Sequence, residues 1–556
     1  MVNTRGQITR GPAPAPMGAT AAAAAVERRH TAWAPLSHRV FRWLWIAQFV
    51  SNIGTWMQLV GAQWLMGTLG GTALQIALVQ AAMSLPVFVV SLPAGALGDI
   101  VDRRRLLLFS MTLLLVVAAL LAAVTFSGAI SPWLLLGLTT ATGASSAFVG
   151  PTWQAIVPEL VERHEITAAA GLAATSFNLS RAIGPAIGGV VVAAAGPGWN
   201  FALNAASYVG VLVVLREWRR PPPERVFGPE HIRAALRTGL GYVRHAPRLR
   251  AAIARAALFV LFAGALWAVL PIYARADLHL GSAGYGGLLG AVGLGAVGGA
   301  LLLPRLVASG SADLVVSAAS VALAAAALAC AAVASVLAAA LALVVAGAAW
   351  VAATSSLNGT ALSAVPEWVG SRALAVYGLV FGGGQAVSAV GWGEVTQLAG
   401  ARAALAGVGG GLLVTLLLAP RWRLAAGPGD LARHAWPVDP PLAIEPDPAT
   451  GPILVTVEYE VPAQRHRDFR DRMHEVGRAR RRTGAEQWGL FQDGASPDRF
   501  LETFLVATWE EHLRQHTERT TAEDEATNLA AVSVTVRSSS ARHLFYVYDQ
   551  RVVSET

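Results

Sequence analysis

Apolar residues fall in runs of about twenty along this chain, and the short breaks between the runs hold most of the charge. From Trp43 to Ala94 there is no Asp, Glu, Lys or Arg. The break GALGDIVDRRR, Gly95 to Arg105, follows, and LLLFSMTLLLVVAALLAAV resumes the apolar text. A run of that length crosses the hydrocarbon core of a bilayer as one helix. A buried α/β core would instead give runs of about five to twelve residues. The pattern predicts an all-α polytopic membrane protein with about twelve spanning helices. The first six cover roughly 41–67, 73–97, 106–127, 131–155, 166–195 and 199–216. The second six cover roughly 252–274, 284–305, 314–333, 335–357, 372–398 and 403–420.

The breaks orient the spans. With the N-terminus inside, the cytoplasmic loops hold Arg103, Arg104, Arg105, Arg163, Arg216, Arg219, Arg220, Arg225, Arg233, Arg237, Arg305 and Arg372. The opposite loops hold only Arg275 and Arg402. Basic residues collect on the cytoplasmic side, so both termini are expected inside. The long central loop carries Ile232, Leu236, Leu240 and Val243 at helical spacing, with arginines elsewhere on the wheel. It reads either as a helix lying on the inner membrane surface or as one packed on the bundle end. VPELV at Val157–Val161 and VPEWV at Val365–Val369 stand after the fourth and tenth spans. That repetition argues for two duplicated six-helix halves, a plan that places a site between them.

Composition agrees. Hydrophobic residues make up 54% of the 556 and charged residues only 14%, too few to coat a soluble protein of this size. The net charge of +8 is entirely arginine-based, and in a membrane protein it reads as an orienting signal rather than a nucleic-acid footprint. Cys330 is the one cysteine, so no disulfide forms within the chain. Residues 1–35 read as a disordered cytoplasmic tail without a signal-peptide core, 36–216 and 251–422 as the two bundles, and 217–250 as the cytoplasmic loop between them.

GALGDIVDRRR resembles the signature loop of the major facilitator superfamily, matching at Gly95, Leu97, Asp99, Arg103 and Arg104. Ile100 and Asp102 depart from the pattern, so the loop's charge relay is expected to be rewired. In the fifth span, RAIGPAIGG with Gly184, Pro185, Gly188 and Gly189 is similar to the exporter-associated glycine motif of that superfamily, with Ser180 in place of a usual glycine. Small residues there permit close helix contact and the proline permits a bend. The fourth span lacks the arginine that many proton-driven exporters of the superfamily carry. The resemblance makes Asp99, Arg103, Arg104, Gly184 and Pro185 candidates for gating.

Arg181 falls near the middle of the fifth span, where a charge costs about 2.5–3.5 kcal/mol unless it faces a cavity or a partner. Two readings stand: it attracts an anionic or catecholate-like substrate, or it braces the bundle through carbonyls. Glu394 in the eleventh span is a candidate proton carrier, or a solvated carboxylate near the outer end. Asn52, Gln58, Gln63, Gln80, Asn178 and Gln385 are cavity-lining candidates that also suit helix–helix hydrogen bonds. Among them Asn52, Gln58, Asn178 and Gln385 join Arg181 as the predicted substrate-binding set. Trp43, Trp45, Trp56 and Trp64 suit an interfacial belt as well as a substrate cage.

After Arg423 comes a Pro-rich linker, 423–451, and then a module at 452–549 with the order β-α-β-β-α-β of a ferredoxin-like α+β fold. Its phrase RFLETFLVATWEEHLRQH resembles the dimeric α/β-barrel domains related to antibiotic-biosynthesis monooxygenases, which implies a homodimer as partner and often no cofactor. His512 and His516 stand one helical turn apart, but without a third ligand no metal is expected. A regulatory or dimerising role is favoured over a catalytic one. Nearly the whole chain resembles the transmembrane secretion effector branch of the superfamily, which includes enterobactin-exporter-like proteins.

The functional expectation is a secondary exporter of siderophore- or drug-like molecules in a bacterial inner membrane, working by alternating access with proton coupling. Its partners are a small-molecule substrate, a proton or other ion and the lipid bilayer, with no nucleic acid and no cofactor. No Walker-type phosphate loop is present, which removes ATP hydrolysis of that kind. The alternatives are an importer of the same fold, or a membrane-tethered enzyme whose activity resides in the tail.

Overall fold

The computed structural model describes residues 33–100, 102–218, 241–424, 431, 446–538 and 541–545. The N-terminal tail to residue 32, residues 219–240 of the central loop, which hold Ile232, Leu236 and Leu240 of its expected amphipathic helix, and most of the Pro-rich linker lie outside them. The first half contains α1 (Arg39–Thr68), α2 (Ala73–Ile100), α3 (Arg103–Phe126), α4 (Pro132–Ser146), α5 (Val149–Leu160), α6 (Ile166–Ala195) and α7 (Pro197–Glu217). The second contains α8 (Pro247–Ala263), α9 (Ala265–Ile272), α10 (Ser282–Ser309), α11 (Ala312–Ala332), α12 (Val336–Ser363), α13 (Gly370–Ala399) and α14 (Ala401–Leu418). Among the described residues, nine helices are long and apolar enough to cross a membrane. The predicted fourth span is divided between α4 and α5 at Ala147–Phe148, and the seventh between α8 and α9 at Gly264.

Local chemistry sets the ends. Asp102 and Ser131 cap α3 and α4 by accepting from the backbone N–H groups of Arg105 and Leu134. Gly196 (φ +89) and Gly400 (φ +87) are the single residues joining α6 to α7 and α13 to α14. Only glycine enters this backbone region without strain, and its recurrence in both halves bears the mark of duplication. Arg104 of the signature loop donates from Nε and Nη2 to the Leu215 and Arg216 carbonyls, each at 2.8 Å, so a cation caps the C-terminus of α7. Arg402 does the same for α11 through the Ala331 and Ala332 carbonyls.

The halves meet along α2 with α13 and α6 with α10. The end of the bundle carrying the connections at Gly196 and Gly400 is called distal here, and the end where α1 begins and α14 finishes proximal. Along the distal part of the seam the helices are nearly in backbone contact. A Cβ placed on Gly189 of α6 would lie 2.6 Å from the Ser282 carbonyl oxygen and 2.7 Å from Gly286 Cα of α10. One placed on Gly393 of α13 would lie 2.5 Å from Ala77 Cβ of α2. Gln63 of α1 bolts the same end, donating from Nε2 to the Trp267 carbonyl (2.9 Å) and accepting from Tyr285 OH (2.5 Å).

The C-terminal domain follows β1 (Ile453–Glu460), α15 (His466–Thr483), β2 (Gln487–Gln492), β3 (Arg499–Val506), α16 (Trp509–Arg514), α17 (Ala522–Val532), β4 (Arg537–Ser538) and β5 (Arg542–Phe545). Its antiparallel sheet runs β2-β3-β1-β4, with β5 also on β1. Strand alternation sends Val455, Tyr459, Phe500 and Phe504 into the core. The opposite face carries Leu454, Leu501 and Leu505 with Phe491 and Leu544, the last two more than half exposed. The domain touches the proximal end of the second half through Arg248–Glu523 at 3.1 Å and Arg519 over the Trp368 ring.

Candidate functional site

A cavity of about 520 Å³ lies between the halves. The first half contributes Trp56 from α1, Gln80 from α2, and Phe177, Asn178 and Arg181 from α6. The second contributes Trp267 from α9, Trp350, Thr354, Ser355 and Asn358 from α12, and Tyr377, Phe381 and Gln385 from α13. Exposure grows along it: Trp267 and Trp350 are buried at the distal floor, whereas Phe177 and Asn358 are exposed towards the proximal end. The cavity is shut where the small-residue seam closes and widens away from it.

Arg181 is the centre of the site. Its guanidinium carbon lies 4.3 Å from the Trp267 ring centroid, 5.2 Å from Trp350 and 5.5 Å from Trp56. Indole faces attract a cation by about 0.5–2 kcal/mol each, and more as water is excluded. Three of them offset much of the cost of holding a charge at this depth. No carboxylate pairs with Arg181 among the described residues, and its Nε is buried without a hydrogen-bond partner. The cage thus holds the cation while leaving it unneutralised. Gln80 Oε1 is likewise buried and unpartnered on the cavity wall.

The predicted set separates by position. Arg181, Asn178 and Gln385 meet at the cavity. Asn52 accepts from Gln48 Nε2 at 2.9 Å within α1. Gln58 is buried between helices of the first half, accepting from Asn204 (2.6 Å) and donating to Thr142 (3.3 Å). Gly184 packs α6 on α1, since a Cβ there would stand 2.7 Å from Trp56 Cβ, whereas the Pro185 carbonyl faces Gly286 of α10. Arg103 pairs with Glu159 of α5 at 3.1 Å, inside its own half. The Asp99 side chain lies outside the described residues. Glu394 is exposed on α13, nine residues and about 13 Å beyond Gln385.

Trp267, Trp350, Tyr377 and Phe381 were not among the predicted residues. The signal available was depth: Trp267 and Trp350 fall in the interior of their apolar runs, where the interfacial preference of tryptophan does not account for them. In the C-terminal domain, His543 of β5 approaches the predicted pair, with its Nε2 2.9 Å from that of His512. Among the described residues no three His, Cys, Asp or Glu side chains are arranged to hold a metal ion.

Two halves of six spans each, closed at one end around a caged cation, have the major facilitator fold. The sequence model of one family, described as transmembrane secretion effector, matches residues 30–546, and the chain belongs to that family. It is 30% identical over 176 residues to the staphyloferrin A transporter of Staphylococcus aureus, covering 31% of this chain and 44% of that protein. It is 26% identical over 288 residues to the enterobactin exporter EntS of Citrobacter koseri, covering 51% and 68%. Among solved structures, a POT family transporter in complex with 5-aminolevulinic acid superposes with a TM-score of 0.58 at 15% identity, covering 69% of this chain and 96% of that one. A bacterial homologue of the lysosomal transporter Spinster, inward-facing and occupied, gives 0.56 at 14%, covering 70% and 98%. These structures share the fold.

Proposed function

We propose that the chain exports small organic anions, siderophore- or drug-like in size and partly aromatic, across the bacterial inner membrane by alternating access, with both termini in the cytoplasm. The observation that carries this reading is the Arg181 cage: an unneutralised cation among tryptophans, in a cavity also lined by Phe177, Tyr377 and Phe381. An anionic aromatic ligand gains a charge-assisted hydrogen bond and ring contacts in one place. Siderophore chemistry is supported by the names of two relatives, a staphyloferrin A transporter and an enterobactin exporter. With the arginine-rich end inside, the proximal mouth faces the cytoplasm, where an exporter loads. Asp99, Arg103, Arg104, Gly184 and Pro185 form the gating set of this reading. Glu394 is its proton carrier, separate from the substrate residues. The half-exposed apolar sheet face, with Phe491 and Leu544, is the surface through which the C-terminal domains pair.

The test uses everted membrane vesicles from cells making the full chain, an anionic catechol and a neutral aromatic of equal size. Arg181→Gln is expected to reduce uptake of the anion at least about tenfold, the effect of about 1.4 kcal/mol, and to spare the neutral compound. Arg181→Lys should restore part of it. Equal anion transport by Arg181→Gln and the parent sinks the reading. Glu394→Gln is expected to flatten the pH dependence, and vesicles of opposite orientation separate export from import.

A further inference from the structure

The cage around Arg181 is built across the two halves. Arg181 belongs to α6 of the first half, whereas the two rings nearest its guanidinium, Trp267 and Trp350, belong to α9 and α12 of the second. The rings also meet one another: the Trp267 centroid lies 6.0 Å from that of Trp56 in the first half and 5.7 Å from that of Trp350. Trp267 and Trp350, 6% and 3% exposed, close the distal floor of the transport cavity. Cargo leaves distally only if these rings part from the first half. Parting them takes Trp267 off the cation of α6.

Trp267 is tied a second time. Its carbonyl accepts from Gln63 Nε2 at 2.9 Å, and Gln63 Oε1 accepts from Tyr285 OH at 2.5 Å. The ring of one residue thus lines the ligand cavity while its backbone holds the distal bolt. The segment that carries both is short. α9 has eight residues and follows the break at Gly264, beside which Trp392 Nε1 of α13 donates to the Leu261 carbonyl at 3.0 Å. A glycine break lets such a segment turn while the helix before it stays in place.

We propose that Arg181 is a lock released by the cargo: an anion that pairs with the guanidinium loosens its hold on Trp267, and α9 then turns at Gly264, drops the Gln63 bolt and opens the distal floor. This rests on the anionic-cargo reading given above. The attraction of an indole face for a guanidinium is electrostatic, so it falls as the charge is neutralised. Arg181 can take such a partner, because no carboxylate pairs with it among the described residues. A ligand shifts an equilibrium only through different affinities for the two states. In the closed state the anion competes with three ring faces for the cation. In the open state it competes with Trp56 alone, which stays with Arg181 in the first half, and it binds more tightly. A neutral ligand of the same shape gains nothing from that difference, so the charge of the cargo sets how often its exit opens.

The test uses the full chain in lipid nanodiscs, with spin labels on cysteines at the exposed distal positions Thr72 and Leu398 and with Cys330→Ala. Salicylate is the probe, and salicylamide, neutral and of nearly equal size, is the control. Salicylate is expected to raise the population with separated labels about fivefold or more, and salicylamide to leave it unchanged. Trp267→Leu removes the ring and keeps the carbonyl that Gln63 holds. It should raise that population several-fold without ligand and still bind salicylate in equilibrium dialysis. Trp267→Phe should fall between it and the parent, and stands in for it if the leucine variant misfolds. Arg181→Gln should also raise the ligand-free population and no longer respond to salicylate. Parent-like ligand-free distributions in Arg181→Gln and in the Trp267 variants overturn the lock. Salicylate that binds the parent, and not Arg181→Gln, without separating the labels overturns the release and leaves the anionic-cargo reading standing. An equal response to salicylamide does the same. No binding to the parent, or equal binding by Arg181→Gln, overturns that reading and the release with it, while the ligand-free distributions still decide the lock.

Discussion

Replacing Gly189 by alanine tests whether the distal seam is the closed gate. The new methyl would lie 2.6 Å from the Ser282 carbonyl oxygen and 2.7 Å from Gly286 Cα. Ordinary contact begins near 3.4 Å, so α6 and α10 must part by about 0.8 Å (3.4 − 2.6) to admit it. Overpacking of this kind costs about 1–3 kcal/mol. The cost falls on the distally closed state alone, because a distally open state separates these helices. The gain in helix propensity from Gly to Ala applies to both states and cancels. The equilibrium should therefore move towards the distally open form by about 5- to 150-fold. Spin labels on cysteines at Thr72 and Leu398, both exposed, with Cys330→Ala, report the distal separation by electron–electron distance measurement. Gly287→Ala, on the facing helix α10, is the control, since a Cβ there meets nothing within 4 Å. An unchanged distance distribution in Gly189→Ala, or an equal change in Gly287→Ala, refutes the reasoning.

Three further outcomes are expected. Tyr285→Phe removes the hydroxyl that bonds Gln63 across the halves and should shift the same label distances by about 2- to 12-fold in population, from about 0.5–1.5 kcal/mol; a parent-like distribution counts against the bolt. Burial, with His516 and His543 nearby, pushes His512 down to about 2. His512 is thus neutral in the fold, while the unfolded chain takes up its proton below about pH 6.5. Through His512 the stability of the C-terminal domain should be complete above that pH and fall by about 1.4 kcal/mol per pH unit below it, with His516 and His543, also pushed down by burial, adding to the slope; flat urea midpoints between pH 7 and 5 contradict this. Gly196→Ala and Gly400→Ala place a side chain at φ near +90°, and each should cost about 1–3 kcal/mol, read as a lower melting temperature; unaltered melting in both would contradict the strained-turn argument.

The spans were legible because their signals are local. The expected 166–195 coincides with α6, which Gly196 ends, and the expected 41–67 falls within Arg39–Thr68. The divisions at Ala147–Phe148 and Gly264 were not, because the apolar run continues through them and packing alone breaks the helix. In the site, Asn178 and Arg181 stand three residues apart, so one helix turn presents them together. The indoles that hold Arg181 come from three other helices, and two of these lie in the other half. Spacing along a chain does not encode such a meeting. Gln58 illustrates the converse: a polar residue in a span reads as a cavity wall until Asn204 and Thr142 are found against it.

The one-residue elbows at Gly196 and Gly400 leave no slack between the helices they join. Any tilt of α6 at the seam passes undiminished into α7, whose far end is hooked by Arg104 to the base of α3. Each pair then behaves as a single bent crank, so movement begun at a few glycines of the interface is delivered to the back of the bundle instead of dissipating in a loop.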